Sequence, residues 1–201
     1  EEKLEIHKGV LYYKGEPGQE EEWAKEIGVI RKEFLPDDWI DISKTTPENG
    51  ISLLIGKPEL EEATIKFKVT TSTVTTYSVD WGDGSSNSYA SGTEASHTYS
   101  TNNDKLSSDG YLFEVKITPE LGANITNFHH TQATNSPLLW CQVGCDTLTD
   151  CNSMLYYAIN LKKFGTAKET SLSKVINMQY MFYYCKSLKE IPKLETSQVT
   201  D

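Results

Sequence analysis

The sequence predicts a mainly β chain with short helices: a small antiparallel β-sandwich followed by an α/β solenoid. Three observations carry this. Residues 51–120 alternate apolar and polar side chains with period two. Thr64 to Thr101 holds 17 Ser or Thr among 38 residues, a composition suited to strands and turns. Residues 121–201 contain an internal repeat with a period of 23–27 residues, the mark of stacked units.

Residues 1–47 read as an acidic connector. Gly15-Glu16-Pro17-Gly18 marks a turn. Gln19 to Lys32 is expected to form one short helix, with Trp23, Ile27 and Ile30 at helical spacing. Leu35-Pro36 ends it, because proline disfavours helix in the residue before it. Trp23 and Trp39 are large apolar groups in a segment too short for its own core. The connector is therefore expected to order by packing on a neighbouring subunit or domain. Thr46-Pro47-Glu48-Asn49-Gly50 supplies a second turn.

The sandwich is assigned to residues 51–120. Ile65, Phe67 and Val69 share one face; Tyr77, Val79 and Trp81 repeat the pattern, as do Ala95, His97 and Tyr99, then Tyr111, Phe113, Val115 and Ile117. Such alternation marks strands with one buried face. Asp83-Gly84, Ser91-Gly92 and Asp109-Gly110 provide the turns. The core is expected around Trp81, Phe67, Tyr99, Phe113 and Val115.

The repeat covers residues 121–201. Leu148–Phe164 aligns with Val175–Ile191 at an offset of 27, with 5 of 17 positions identical. A third copy begins at Val199, and an earlier, degenerate one at Ile125. Asn127, Asp150, Asn177 and Asp201 share one position, where a short polar side chain would N-cap a helix. Met178, Met181, Phe182 and Cys185 then form an i, i+3, i+4, i+7 stripe. Leu188 and Ile191 are expected on a short strand that Pro192 closes.

Charge excludes some partners. Net charge is −10, with 16 acids and 8 bases in residues 1–62 against 13 and 11 in the remainder. A basic nucleic-acid footprint is absent. No apolar run approaches the roughly 20 residues of a membrane span. The chain opens without a signal peptide and breaks off inside a motif, so a fragment of a longer protein is expected.

Val79-Asp80-Trp81-Gly82-Asp83-Gly84, then His97-Thr98-Tyr99, then Tyr111 to Ile117, resembles the PKD-type immunoglobulin-like domain. Met181-Phe182, Cys185, Ser187-Leu188 and Ile191 resemble the BspA-type leucine-rich repeat. The resemblances imply an Ig-like sandwich and a leucine-rich-repeat solenoid. The order of the motifs is similar to proteins predicted as bacteriophage virion components and to surface proteins of gut bacteria.

Chemistry is sparse. Asp80 and Asp83 flank Trp81-Gly82; such a pair either holds Ca²⁺ or closes a tight turn on nearby amides. His129 and His130 with Cys141, Cys145 and Cys151 offer zinc-type donors at a spacing that fits no compact zinc motif. The alternatives are reduced structural thiols and a short-loop disulfide between Cys141 and Cys145. No catalytic constellation, P-loop or dinucleotide motif is present. No cofactor is expected. Tyr156-Tyr157 and Tyr183-Tyr184 occupy equivalent repeat positions, with Tyr180 beside them. Stacked units would align them as an aromatic ladder, and Tyr is favoured in recognition.

The expected function is non-enzymatic: a structural or adhesion protein of a phage particle, located on the virion. Its partners would be other virion subunits or host cell-surface molecules, with homo-oligomerisation open and neither nucleic-acid binding nor membrane insertion. The alternatives are a bacterial cell-surface adhesin and a binding module of a glycan-degrading enzyme.

Overall fold

The structure is a computed structural model that describes residues 4–7, 10–13, 35–132, 134–194 and 196–200. The chain divides into two compact units, Glu1–Leu35 and Pro36–Asp201. In the first, strands β1 (Leu4–His7) and β2 (Val10–Tyr13) pair antiparallel, with Leu4 opposite Tyr13 and His7 opposite Val10. Trp23 and the helix expected over Gln19–Lys32 lie outside the described residues.

The second unit holds two sheets. Its strands are β3 (Ile51–Lys57), β4 (Ala63–Thr71), β5 (Thr76–Asp80), β6 (Ser86–Ala90), β7 (Glu94–Tyr99), β8 (Leu106–Ser107), β9 (Gly110–Pro119), β10 (Ile125–His130), β11 (Leu138–Val143) and β12 (Lys163–Thr166). The large sheet runs β12-β11-β3-β9-β5-β6, with β8 on β9; the small sheet runs β10-β4-β7. Pairing is antiparallel except between β11 and β12.

The alternation in β4 does what period two requires. Ala63, Ile65, Phe67, Val69 and Thr71 are buried and the residues between them are not. The core between the sheets takes Ile51, Leu53 and Ile55 from β3, Phe67 from β4, Val115 from β9 and Phe128 from β10. Trp81, at the end of β5, is fully buried. Its ring stacks on His97 at 4.7 Å and meets Phe67 at 5.8 Å. Its Nε1 donates to Asn87 Oδ1 at 2.9 Å, and Tyr99 OH donates to its carbonyl at 2.8 Å. Gly82 is obligatory beside it. Its φ is +75°, and a Cβ there would come within 2.4 Å of the Glu114 carbonyl oxygen.

β3 is buried along its whole length. The segment 36–50 returns onto this unit rather than reaching outward. A 3₁₀ turn, Ile42–Lys44, packs against β3 with Ile42 fully buried. Trp39 is buried and its Nε1 donates to Asp109 Oδ2 at 3.0 Å. Asp38 Oδ2 accepts from the Ser108 amide at 2.7 Å. Of the two anchors expected for this segment, a neighbouring subunit or a neighbouring domain, Trp39 takes one within the same unit.

The largest correction concerns residues 121–201. Among the described residues the short helices and the α/β leucine-rich-repeat solenoid are not seen: the fold is mainly β in two sheets. Ile125, read as the start of a repeat, begins a strand paired with β4, and β11 pairs with β3. Asp150 and Asn177 do bond two residues ahead, to the amides of Asn152 and Gln179 at 2.8 and 2.9 Å. The chain then turns instead of coiling. Ser153, Tyr157, Tyr180 and Tyr184 have φ of 52, 57, 55 and 62°. A right-handed helix cannot pass through residues in the left-handed region.

Backbone hydrogen bonds run between loops instead. The amides of Cys151, Ser153, Leu155 and Tyr157 donate to the carbonyls of Asn177, Gln179, Met181 and Tyr183, each at 2.9 Å. Isolated parallel bridges join Asn127 to Asp150, Asp150 to Asn177 and Lys163 to Glu190. Inside the loops, Leu148, Cys151, Met154, Leu155, Ala158, Leu161, Val175 and Met181 are buried and extend the core of the sheets. The apolar periodicity is therefore real, but it serves turn-rich loops.

Candidate functional site

The tyrosines sit on these loops, where each backbone bond between loops fixes one ring above another. Tyr156 stacks on Tyr183 at 5.1 Å and 12°, and Tyr157 on Tyr184 at 4.6 Å and 15°. Tyr180 meets Tyr183 edge-on at 5.7 Å. Tyr180, Tyr183 and Tyr184 are exposed, while Tyr156 and Tyr157 are half-buried. Lys186 Nζ lies 4.3 Å from the Tyr184 ring centroid, a cation–π contact. Desolvation, and then the neighbouring phenols, raise the Tyr157 hydroxyl above its ordinary pKa. Five rings and one ammonium group share this surface.

The stretch that carries the second tyrosine pair is rich in lysine. Residues 171–194 carry Lys174, Lys186, Lys189 and Lys193 against Glu190 alone, a local net charge of +3 in a chain of −10. Glu190 itself faces Lys163 at 3.6 Å.

Asp80 and Asp83 are engaged by the turn. Asp80 Oδ1 accepts from the Gly82 amide at 3.0 Å. Asp83 Oδ1 accepts from the amide and hydroxyl of Ser85 at 2.9 and 2.6 Å, and its Oδ2 pairs with His97 Nε2 at 2.7 Å. Burial opposes ionisation of Asp83, but Ser85 and His97 outweigh it and hold the carboxyl below its ordinary value. The pattern belongs to a self-bonded turn.

His130 is buried and uses both ring nitrogens. Nδ1 lies 3.2 Å from the Tyr156 carbonyl oxygen, which can only accept, so the proton sits on Nδ1. Nε2, 2.8 Å from Ser136 Oγ, then accepts the hydroxyl proton. Burial drives its pKa down to about 4, holding it neutral. His129 is also lowered, first by burial. Cys141, Cys145, Cys151 and Cys185 are free thiols. Burial raises all four, Cys151 to about 12 and Cys185 to about 11. Cys185 Sγ donates to the Leu155 carbonyl at 3.0 Å. Among the described residues, no group of three or more His, Cys, Asp or Glu side chains is placed to hold a metal ion, and no helix is long and apolar enough to cross a membrane.

One feature escaped the sequence reading. A cavity of about 500 Å³ opens beside Gly56, Leu106, Asp109, Leu139, Asn160 and Lys162. Lys162 and Asp109 form an ion pair in its wall, and Asp109 also accepts from Trp39. These residues are drawn from positions about a hundred apart, and no local pattern links them. With its charges already paired, the cavity offers no free acid, base or nucleophile from these two groups.

Comparison with protein-family models, curated proteins and solved structures finds no match to this chain.

Proposed function

We propose that this is a non-catalytic structural or adhesion protein of a bacteriophage particle, which binds a neighbouring virion subunit or a molecule of the host surface. The observation that carries the binding part is the ladder of Tyr156, Tyr157, Tyr180, Tyr183 and Tyr184, partly exposed and flanked by Lys186. Stacked tyrosines offer large contact area with few rotatable bonds, which favours recognition. The order of the WGDG and Met-Phe-x-x-Cys-x-Ser-Leu motifs supports the placement on a phage particle. The deep burial and hydrogen bonding of His130, and the raised thiols, support a binding role over a catalytic one.

The test combines location with contact. Antibodies raised against the purified chain should label purified particles in electron micrographs; label confined to bacterial envelopes would favour the adhesin. Labelled protein should bind particles stripped of it, or host cells. The double variant Tyr157→Ser, Tyr184→Ser should lose at least tenfold in that binding while keeping its circular dichroism. Undiminished binding by a folded double variant would remove the ladder as the contact surface.

A further inference from the structure

The cavity beside Asp109 continues into a second hollow. The first measures about 500 Å³ and the second about 280 Å³, and Gly56, Pro58, Pro137 and Asn160 line both. The stack of loops passes from Lys162 to Lys189, whose amide bonds the Lys162 carbonyl at 2.9 Å, and no residue beyond Lys162 lines the cavity. The walls are apolar at Pro58, Leu106, Pro137 and Leu139. The open polar sites mostly accept. Asn160 Nδ2 donates to the Ser136 carbonyl at 2.9 Å, which leaves its Oδ1 open. Asp109 takes one donor on each oxygen, from Lys162 Nζ and Trp39 Nε1. A carboxylate has about four acceptor sites, so roughly two remain. Glu59 beside the first hollow, and Glu61 and Glu62 beside the second, are exposed and have no hydrogen-bond or ion-pair partner among the described residues. Four carboxylates against the one ammonium group of Lys162 give the lining a net charge of −3.

We propose that this cavity binds an arginine side chain presented by an extended segment of a partner protein. The guanidinium meets Asp109 and Asn160 Oδ1, the aliphatic stem lies on Leu106 and Leu139, and the flanking residues of the segment follow the second hollow past Glu61 and Glu62. This site is separate from the tyrosine ladder. Open acceptors call for a donor, and unpaired carboxylates call for a positive one. A guanidinium carries five N–H donors in a planar fork and is weakly hydrated, so it meets dispersed acceptors at less cost than an ammonium group. Its methylene stem needs an apolar wall while the charged head stays on polar groups. An anion is repelled by the net charge of the lining. Among the described residues, no aromatic ring lines either hollow, so a sugar finds no face to stack on. Nor is any group of three carboxylates placed there to hold a metal ion. The second hollow, beside Ala63 and Asn135, gives room for the residues that flank an arginine, which a free amine lacks.

The probe is the peptide acetyl-Ala-Ala-Arg-Ala-Ala-amide, titrated into the full chain to millimolar concentration and followed by NMR. It should shift the amides of Gly56, Asp109, Leu139 and Lys162 saturably, and those of Ala63 and Asn135 with them. The same peptide with citrulline for arginine, which keeps the shape and loses the charge, should bind at least tenfold more weakly. In the protein, Leu106→Trp, at a side chain 59% exposed, narrows the cavity and should weaken binding at least tenfold. Glu59→Gln, Glu61→Gln and Glu62→Gln together keep the shape and should weaken it at least threefold, with a smaller response to salt. No saturable shift, equal binding by the citrulline peptide, or full binding by a folded Leu106→Trp variant would overturn the proposal. Agmatine, a free guanidinium on a four-carbon stem, separates the two sources of the group: binding as tight as that of the peptide would overturn the assignment to a partner segment. The double variant Tyr157→Ser, Tyr184→Ser should bind the peptide as the parent does. Loss of peptide binding in that variant would place the arginine on the ladder, by cation–π contact, and overturn the cavity as its site.

Discussion

Two groups of aromatic residues in this molecule obey different rules. Around Trp81 the rings are enclosed by both sheets, and each polar tip has a partner. Tyr99 OH bonds the Trp81 carbonyl, Tyr77 OH bonds the Thr93 carbonyl, and Trp81 Nε1 bonds Asn87. Burial lifts the Tyr77 hydroxyl to about 12 and raises that of Tyr99 further. On the loops 150–157 and 177–184 the rings stack on one another, with their outer faces toward solvent. The first group holds the fold; the second is held by it. Tyr occurs in both, so residue type alone does not separate structural from recognition aromatics. What separates them is whether the hydroxyl is bonded inside and whether a second layer covers the ring.

That contrast predicts unequal costs. Trp81→Ala should cost about 3–5 kcal/mol, because it empties a site between two sheets that cannot collapse onto it. This is a large share of a small domain's stability. Denaturant titration should show a midpoint shift of that size, or no folded baseline. A variant melting like the parent would place the structural core elsewhere.

The second effect is a dependence on pH and tests the junction between the two groups, where His130 of β10 bonds the Tyr156 carbonyl. In the unfolded chain this histidine takes its proton near pH 6.5; in the folded chain it does so only near 4. Between those values the unfolded state binds more protons, so stability is fully present above 6.5 and falls as the pH drops toward 4. The loss over the window is on the order of 3 kcal/mol. Asp83, whose carboxyl is also lowered, acts in the same sense, but its contribution is lost only as the pH falls below its ordinary value of 3.8. The decline between pH 6.5 and 4 should flatten in His130→Gln, measured as unfolding free energy at each pH. An equally steep decline in that variant would assign the slope to other groups.

The smallest effect belongs to the ladder. Tyr183→Ser removes a ring stacked on Tyr156 and exposed on its other side. It should cost about 1 kcal/mol or less. A loss above about 3 kcal/mol in thermal or chemical unfolding would move Tyr183 into the structural group and erase the difference between the two groups.

The two regions also differ in how far they could be read from residues alone. The alternation in Ala63–Thr71 and the burial of Trp81, Phe67, Tyr99 and Phe113 are legible because a one-sided strand leaves a period-two record. β10 and β11 are less so, because Ile125 also fits the repeat that follows it. In the loops, the inward positions are spaced as on a helix face, and Met178, Met181, Phe182 and Cys185 satisfy both readings. Left-handed φ at Tyr157, Tyr180 and Tyr184 decides between them, and Tyr is a residue type from which such φ is not expected. The ring-on-ring register was legible from the 27-residue offset even though the element type was not. The Asp109–Lys162 pair and the cavity beside it left no local pattern, because they are products of tertiary folding.

The position of β3 carries a consequence measured in time. It is the first strand of its sheet in chain order and lies inside it, flanked by β9 and β11. Those partners begin at Gly110 and Leu138. At synthesis rates of about 5–20 residues per second, Ile51-Ser52-Leu53-Leu54-Ile55 leaves the ribosome on the order of ten seconds before both neighbours exist. A short, uncharged, β-prone stretch left unpaired for that interval is the part of the chain most open to wrong association. Shielding of this one strand while it waits is therefore a demand on folding that the final stability of the sheets does not meet.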